Sequence, residues 1–370
     1  MKNAPNIPEH DLVRCIGAGS YGSVWLARSV TGAWRAVKVV WRDSFRDERP
    51  FEREWTGVRR FEALSRESAA FVDILQTGRS PDGGYFYYVM ELADDARDEA
   101  ASVPCAGPMQ GDVAGYEPRT LSRVLREGGR MSASASAALG ARLARGLACL
   151  HEAGLLHRDV KPSNIVFVGG EPRLADIGLV TDMGEARSYV GTDGYIPVEG
   201  PNSPRADVFG LGKVVYEVMT GMDRMEFPRV PPGLGDGADG PGLLALNAVV
   251  LKACAASRDM RYESAKAMAD DMEAIMAGTL GRVGRARSRR VGGGRGGDRR
   301  PWLAGVAVLL ALVGAGGAWR LWRDFVPASV TATPAGAAPE SMAPANKPAD
   351  ARRAEWIREG LRSKIGRAHV

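Results

Sequence analysis

Residues 302–319, WLAGVAVLLALVGAGGAW, run for 18 positions without a charge, and a run of that length has to be taken out of water. As a helix it would extend about 27 Å, close to the roughly 30 Å of a bilayer core, with a tryptophan at each end where the interface would lie. A buried core helix is the competing explanation, but the run's glycines make it a mediocre soluble helix, and Arg299, Arg300 and Arg320 bound it as stop signals would. One transmembrane helix over 301–321 is therefore expected.

That span orders the rest of the chain. Residues 279–300 form a basic Gly/Arg linker whose 281–300 stretch carries eight arginines and one aspartate, more than the whole formal charge of +5. The remainder is close to neutral, and no aromatic residue interleaves the arginines, so no nucleic-acid partner is expected. The excess of arginine before the span places the first 300 residues in the cytoplasm. Four scattered cysteines without CxxC spacing suit a reducing compartment. Residues 322–370 are expected to lie outside the cytoplasm, beginning with an Ala/Pro/Ser linker and a short helical run. The last six residues, IGRAHV, back-translate to a common sequencing adapter, so the natural protein is expected to continue differently. Small residues within the span allow a homodimer.

Chemistry concentrates before residue 280. LVRCIGAGSYGSVWLAR at 12–28 reads as strand, glycine-rich turn, strand, with Gly17, Gly19 and Gly22 letting backbone N–H groups approach a polyphosphate. A GxGxxG alone also occurs in dinucleotide-binding folds, where the last glycine opens a helix. Here SVWLAR alternates instead and continues into a hairpin around Thr31-Gly32. On the next strand, RAVKVV, Lys38 sits among apolar residues and needs an anion. In FEREWTGVRRFEAL the residues Phe51, Glu54, Val58 and Phe61 share a helical face, which turns Glu54 inward as the expected partner of Lys38.

LLHRDVKPSNIVFV at 155–168 contains His157, Arg158, Asp159, Lys161 and Asn164 in the complete pattern HRDxKxxN. Five fixed positions, at about one in twenty each, arise by chance somewhere in such a chain roughly once in ten thousand sequences. With the glycine loop and Lys38, this stretch resembles the eukaryotic-type protein kinases, in the form of membrane-anchored bacterial serine/threonine members. The resemblance covers roughly residues 10–278. It implies an α+β, two-lobed protein-kinase fold: a β-rich N-lobe over about 10–92, a mainly helical C-lobe over about 93–278, then the single transmembrane helix.

The resemblance further implies ATP and magnesium (Mg2+) as cofactors, protein substrates, and an inner-membrane location with the kinase domain cytoplasmic. Ile16, Gly17, Ala18, Gly19, Ser20, Gly22, Val24, Ala36, Lys38, Met90, Glu91 and Leu92 would line the ATP site. Asp159 would act as catalytic base and Lys161 would steady the transferring phosphoryl group, with Lys38 and Glu54 as the ion pair; Asn164 and Asp176 would hold metal. Ser188 would be an activation-loop phosphosite read by Arg158, while Thr192 would contact the catalytic residues. Glu199 would anchor the substrate-positioning loop with Arg261 as partner, and Asp207 would brace the catalytic loop. His157 is expected to be structural and His151 an idle helix-end residue.

Two positions depart from the family's pattern. Ile177 replaces the phenylalanine after Asp176, and Val198 stands between Pro197 and Glu199. They leave open a second reading, a membrane-anchored nucleotide-binding scaffold that transfers no phosphate.

Overall fold

The computed structural model describes residues 5–19, 22–97, 113–176 and 192–278, together with the backbone of 181–182. The expected transmembrane helix lies outside these residues. Among them, no helix is long and apolar enough to cross a membrane.

The N-terminal lobe is an antiparallel sheet of order β1-β2-β3-β5-β4, built from β1 (His10–Ala18), β2 (Gly22–Ser29), β3 (Trp34–Trp41), β4 (Ile74–Arg79) and β5 (Tyr85–Met90). The sequence of β5, YFYYVM, is apolar at every position because both faces of the sheet are covered. Its period of two sends Tyr85, Tyr87 and Val89 to an outer cluster with Ile7, Ala27, Val37 and Val39. Phe86, Tyr88 and Met90 go to the inner face and the main core. Helix α1 (Glu48–Ser65) lays Phe51, Val58 and Phe61 on that inner face. Glu54 is carried into the interior on the same stripe and is 7% exposed.

The C-terminal lobe packs α2 (Leu121–Gly128), α3 (Ala133–Glu152), α4 (Pro204–Thr220), α5 (Gly240–Ala253) and α6 (Ala265–Met276) around one core. Side chains of Thr120, Ser132, Ser203 and Ser264 cap α2, α3, α4 and α6 by accepting from the backbone N–H three residues on. Gly212 lets α4 approach the end of α5, since a Cβ there would sit 2.7 Å from Cys254 Sγ. Between α3 and α4 lie β6 (Leu155–Leu156), β7 (Ile165–Val168), β8 (Glu171–Leu174) and β9 (Thr181–Asp182), paired β6 with β9 and β7 with β8. Residues 157–164 therefore run between β6 and the β7–β8 hairpin.

Candidate active site

The two ends of β3 and β5 set one wall of the interlobe cleft. Ala36 is paired with Met90 and Lys38 with Tyr88 across the sheet, while Val24 faces Lys38 from β2. Met90 is buried, and Val24 and Leu92 pack partly buried against the main core, so the apolar residues expected at an adenine edge are adjacent in space. Ile16 and Gly17 lie half-buried near the end of β1, while Ala18 and Gly19 are exposed. Gly19 N–H donates to the Gly22 carbonyl at 2.9 Å, closing the turn. Gly22 is required by its neighbour: a Cβ there would lie 2.2 Å from the Val39 carbonyl oxygen. Ser20 lies outside the described residues. Glu91 pairs with Arg173 at 2.5 Å and accepts from the Asp73 N–H at 3.2 Å.

Lys38 forms an ion pair with Asp176, not with Glu54. Glu54 acts on it over a longer distance, so the expected Lys38–Glu54 contact is corrected to a Lys38–Asp176 contact backed by a second carboxyl. Burial lowers the Lys38 pKa to about 8, opposed by the charges of Glu54 and Asp159. Burial also raises that of Glu54 to about 7, opposed by Lys38. Asp176 adopts φ +59°, a left-handed conformation unusual for a non-glycine residue.

The catalytic-loop residues converge by hydrogen bonding. Asn164 Nδ2 donates to Asp159 Oδ2 and to the Asp159 carbonyl, both at 2.9 Å. Lys161 Nζ is 2.7 Å from Asp159 Oδ2 and donates to Thr192 Oγ1 at 2.8 Å. Thr192 Oγ1 in turn donates to Asp159 Oδ1 at 3.0 Å. Both carboxylate oxygens are therefore fixed by residues 5 and 33 positions away in the chain.

Beneath this loop, buried Asp207 at the start of α4 accepts from the His157 and Arg158 backbone N–H groups at 2.9 and 2.7 Å. Those two bonds hold Arg158 at φ +70°. His151 is not idle: its Nε2 lies 2.8 Å from Asp207 Oδ2. Burial would raise the Asp207 pKa, but the His151 hydrogen bond and the neighbouring histidines hold it below the usual carboxylate range. Burial lowers that of His157, which suits a packed structural imidazole.

Glu199 pairs with the buried Arg261 guanidinium through both oxygens. Val198 beside it is 90% exposed, so the valine leaves this anchor intact. Ile177, Gly178 and Ser188 lie outside the described residues.

A protein kinase domain model matches residues 10–228, more than half of the chain. The chain belongs to the protein kinase family. Relatives place its catalytic domain in the serine/threonine protein kinase class. AfsK of Streptomyces coelicolor, a serine/threonine-protein kinase, is 32% identical over 217 residues, 56% of this chain and 24% of that protein. The serine/threonine-protein kinase PknL of Mycobacterium tuberculosis is 36% identical over 187 residues, 43% of this chain and 45% of that one. A probable serine/threonine-protein kinase of Clostridium perfringens is 26% identical over 294 residues, covering 72% and 38%. The chain thus spans less than half the length of these bacterial relatives.

Protein kinases use Mg-ATP, and the residues of this kinase fit that group. Asn164 spends its amide nitrogen on Asp159, which leaves its carbonyl oxygen as a hard donor. The Asp176 side chain is 45% exposed beside it in the catalytic region, and Lys38 contacts only its Oδ1. One carboxylate and one amide oxygen are what magnesium takes from a protein when phosphates supply further ligands. Asp207 braces the loop as its motif position implied, whereas Asp94 and Arg14, which motif reading passed over, bond to backbone groups next to the hinge. Asp94 accepts from Gly169 and Gly170 N–H at 2.8 Å each, and the paired glycines after IVFV were its one sequence signal.

Proposed function

We propose that the chain transfers the ATP γ-phosphate to serine and threonine hydroxyls of protein substrates. The observation that carries this is the Asp159 carboxylate, held at both oxygens by Asn164, Lys161 and Thr192 in one hydrogen-bonded unit. Mg-ATP, when bound, supplies an electrophilic phosphoryl group. The protein's part is placement and charge: Asp159 accepts the substrate hydroxyl's hydrogen bond and then its proton, and Lys161 beside it offsets negative charge on the transferring phosphoryl group. Asn164 and Asp176 would hold the metal, and Lys38 would orient the nucleotide's phosphates, with Glu54 as the buried carboxyl behind it. Thr192 keeps the substrate-positioning loop against Asp159, and the Glu199–Arg261 pair anchors the loop's far end.

The kinase acts at the cytoplasmic face of a bacterial inner membrane, anchored by residues 301–321, and signals across it. It phosphorylates its own 179–195 segment, with Ser188 the first choice, and Arg158 pairs with that phosphate. Two copies meet through the span.

The reading is tested by incubating the protein with Mg-ATP and a generic protein substrate, then locating phosphate by mass spectrometry. Phosphoserine and phosphothreonine are expected on the substrate, and on the 179–195 segment of the kinase. Phosphate on tyrosine alone, or none, would overturn it. Extraction of the protein from membranes by alkaline carbonate would remove the anchor.

A further inference from the structure

A second link between the lobes lies outside the charged machinery of the cleft. The segment after Leu92 leaves the hinge and returns by residues 113–119, and its two arms are zipped together. Arg119 N–H donates to the Asp94 carbonyl and Ala96 N–H to the Glu117 carbonyl, each at 2.8 Å. Tyr116, 1% exposed, donates from its hydroxyl to the Ala93 carbonyl at 3.0 Å. The Asp94 carboxylate fixes the base of this stem to the β7–β8 turn through Gly169 and Gly170. The stem therefore moves with the C-terminal lobe.

Arg14 reaches it from β1. Its Nη2 donates to the Tyr116 carbonyl and its Nε to the Val113 carbonyl at 3.4 Å. A register shift between Leu12 and Arg14 gives Arg14 this aim. Leu12 is paired with Ala27 of the outer cluster, whereas the extra residue, Val13, lets Arg14 pair with Leu26 on the opposite face. The same strand continues two residues later into Ile16 and Gly17 at the glycine-rich rim.

We propose that Arg14 is a nucleotide-retaining residue: it ties the glycine-rich strand to the stem beside the hinge and thereby slows nucleotide release. This rests on the nucleotide-site reading above. Lifting β1 to let a nucleotide out breaks both guanidinium bonds at once. Loss of the link should thus raise the dissociation rate.

The experiment is stopped-flow release of a fluorescent ATP analogue, chased by excess ATP, from the full chain and from Arg14→Met and Arg14→Lys, with melting temperature as the check on folding. Arg14→Met should release about tenfold faster, since hydrogen bonds to a charged donor carry that much. Arg14→Lys, which keeps the charge but loses the fork, should fall between and carries the test if the methionine variant does not fold. Release from a folded variant at the wild-type rate would overturn the inference and leave the kinase reading standing. Failure of the wild type to bind the analogue would strike the nucleotide site itself.

Discussion

Replacing Asp207 by alanine should loosen the catalytic loop from below. Its carboxylate is 2% exposed and accepts three hydrogen bonds, from His157 N–H, Arg158 N–H and His151 Nε2, at 2.7 to 2.9 Å. Alanine leaves two buried backbone donors and one buried imidazole without an acceptor. At about 1–3 kcal/mol for each unsatisfied group, the total is on the order of 3–9 kcal/mol, a large share of the 5–15 kcal/mol typical of a folded protein. For a domain of this size each kcal/mol lowers the melting temperature by roughly 2–4 °C, so a fall of about 6 °C or more is expected by calorimetry or circular dichroism. Phosphate transfer should fall further than stability does, because Arg158 is freed from its left-handed conformation next to Asp159. The Asp207 pKa is depressed in the folded state, so its stabilisation is complete above the ordinary carboxylate value and fades as pH falls below about 4. The gap between wild type and variant should narrow there. A melting temperature within about 2 °C of wild type at neutral pH would refute this reasoning.

Glu54→Gln should change the pH dependence of stability. With its pKa raised to about 7, folded Glu54 holds a proton that the unfolded chain has lost, so wild-type stability falls as pH rises from about 4.5 to 7. Urea unfolding at the two ends of that window should show a decline on the order of 2 kcal/mol in wild type that glutamine largely removes; equal slopes would contradict it. Thr192→Val removes the hydroxyl that joins Asp159 to Lys161, so kcat should drop about tenfold while melting shifts little. Steady-state kinetics with thermal melting measures both. Glu199→Ala leaves the Arg261 guanidinium, 1% exposed, without its partner and should cost about 3 kcal/mol. The double change Glu199→Leu/Arg261→Met should cost less than that single one, as denaturant unfolding of the three proteins would report.

Much of the catalytic loop was legible because its residues are contiguous. His157 through Asn164 are placed by local chain geometry, and the inward stripe of α1 follows from a helical period that α1 keeps. Pairings across long separations were harder. The direct partner of Lys38 is Asp176, 138 residues away, and no periodicity favours it over Glu54. His151 sits at the last turn of α3, where helix-end position suggests no task, yet α4 brings Asp207 to it from 56 residues downstream. Arg14 was invisible for a different reason: one bulge residue reverses the face of a strand, and a period-of-two reading carries no sign of it. By contrast Thr192, Glu199 and Arg261 were placed by motif and meet as expected, because loop and helix both fold against α4 and its neighbours.

Whether this chain is a catalyst despite Ile177 is decided most directly by the rate of phosphate transfer from Mg-ATP to protein serine and threonine, for wild type and Asp159→Asn under the same conditions. Asparagine keeps the shape and much of the hydrogen bonding at Asp159 but cannot take the substrate proton. Transfer by wild type at least about a hundredfold faster than by the variant is the expected result. Equal, near-zero transfer by both, with nucleotide bound, would contradict the kinase reading and leave a nucleotide-binding scaffold in its place.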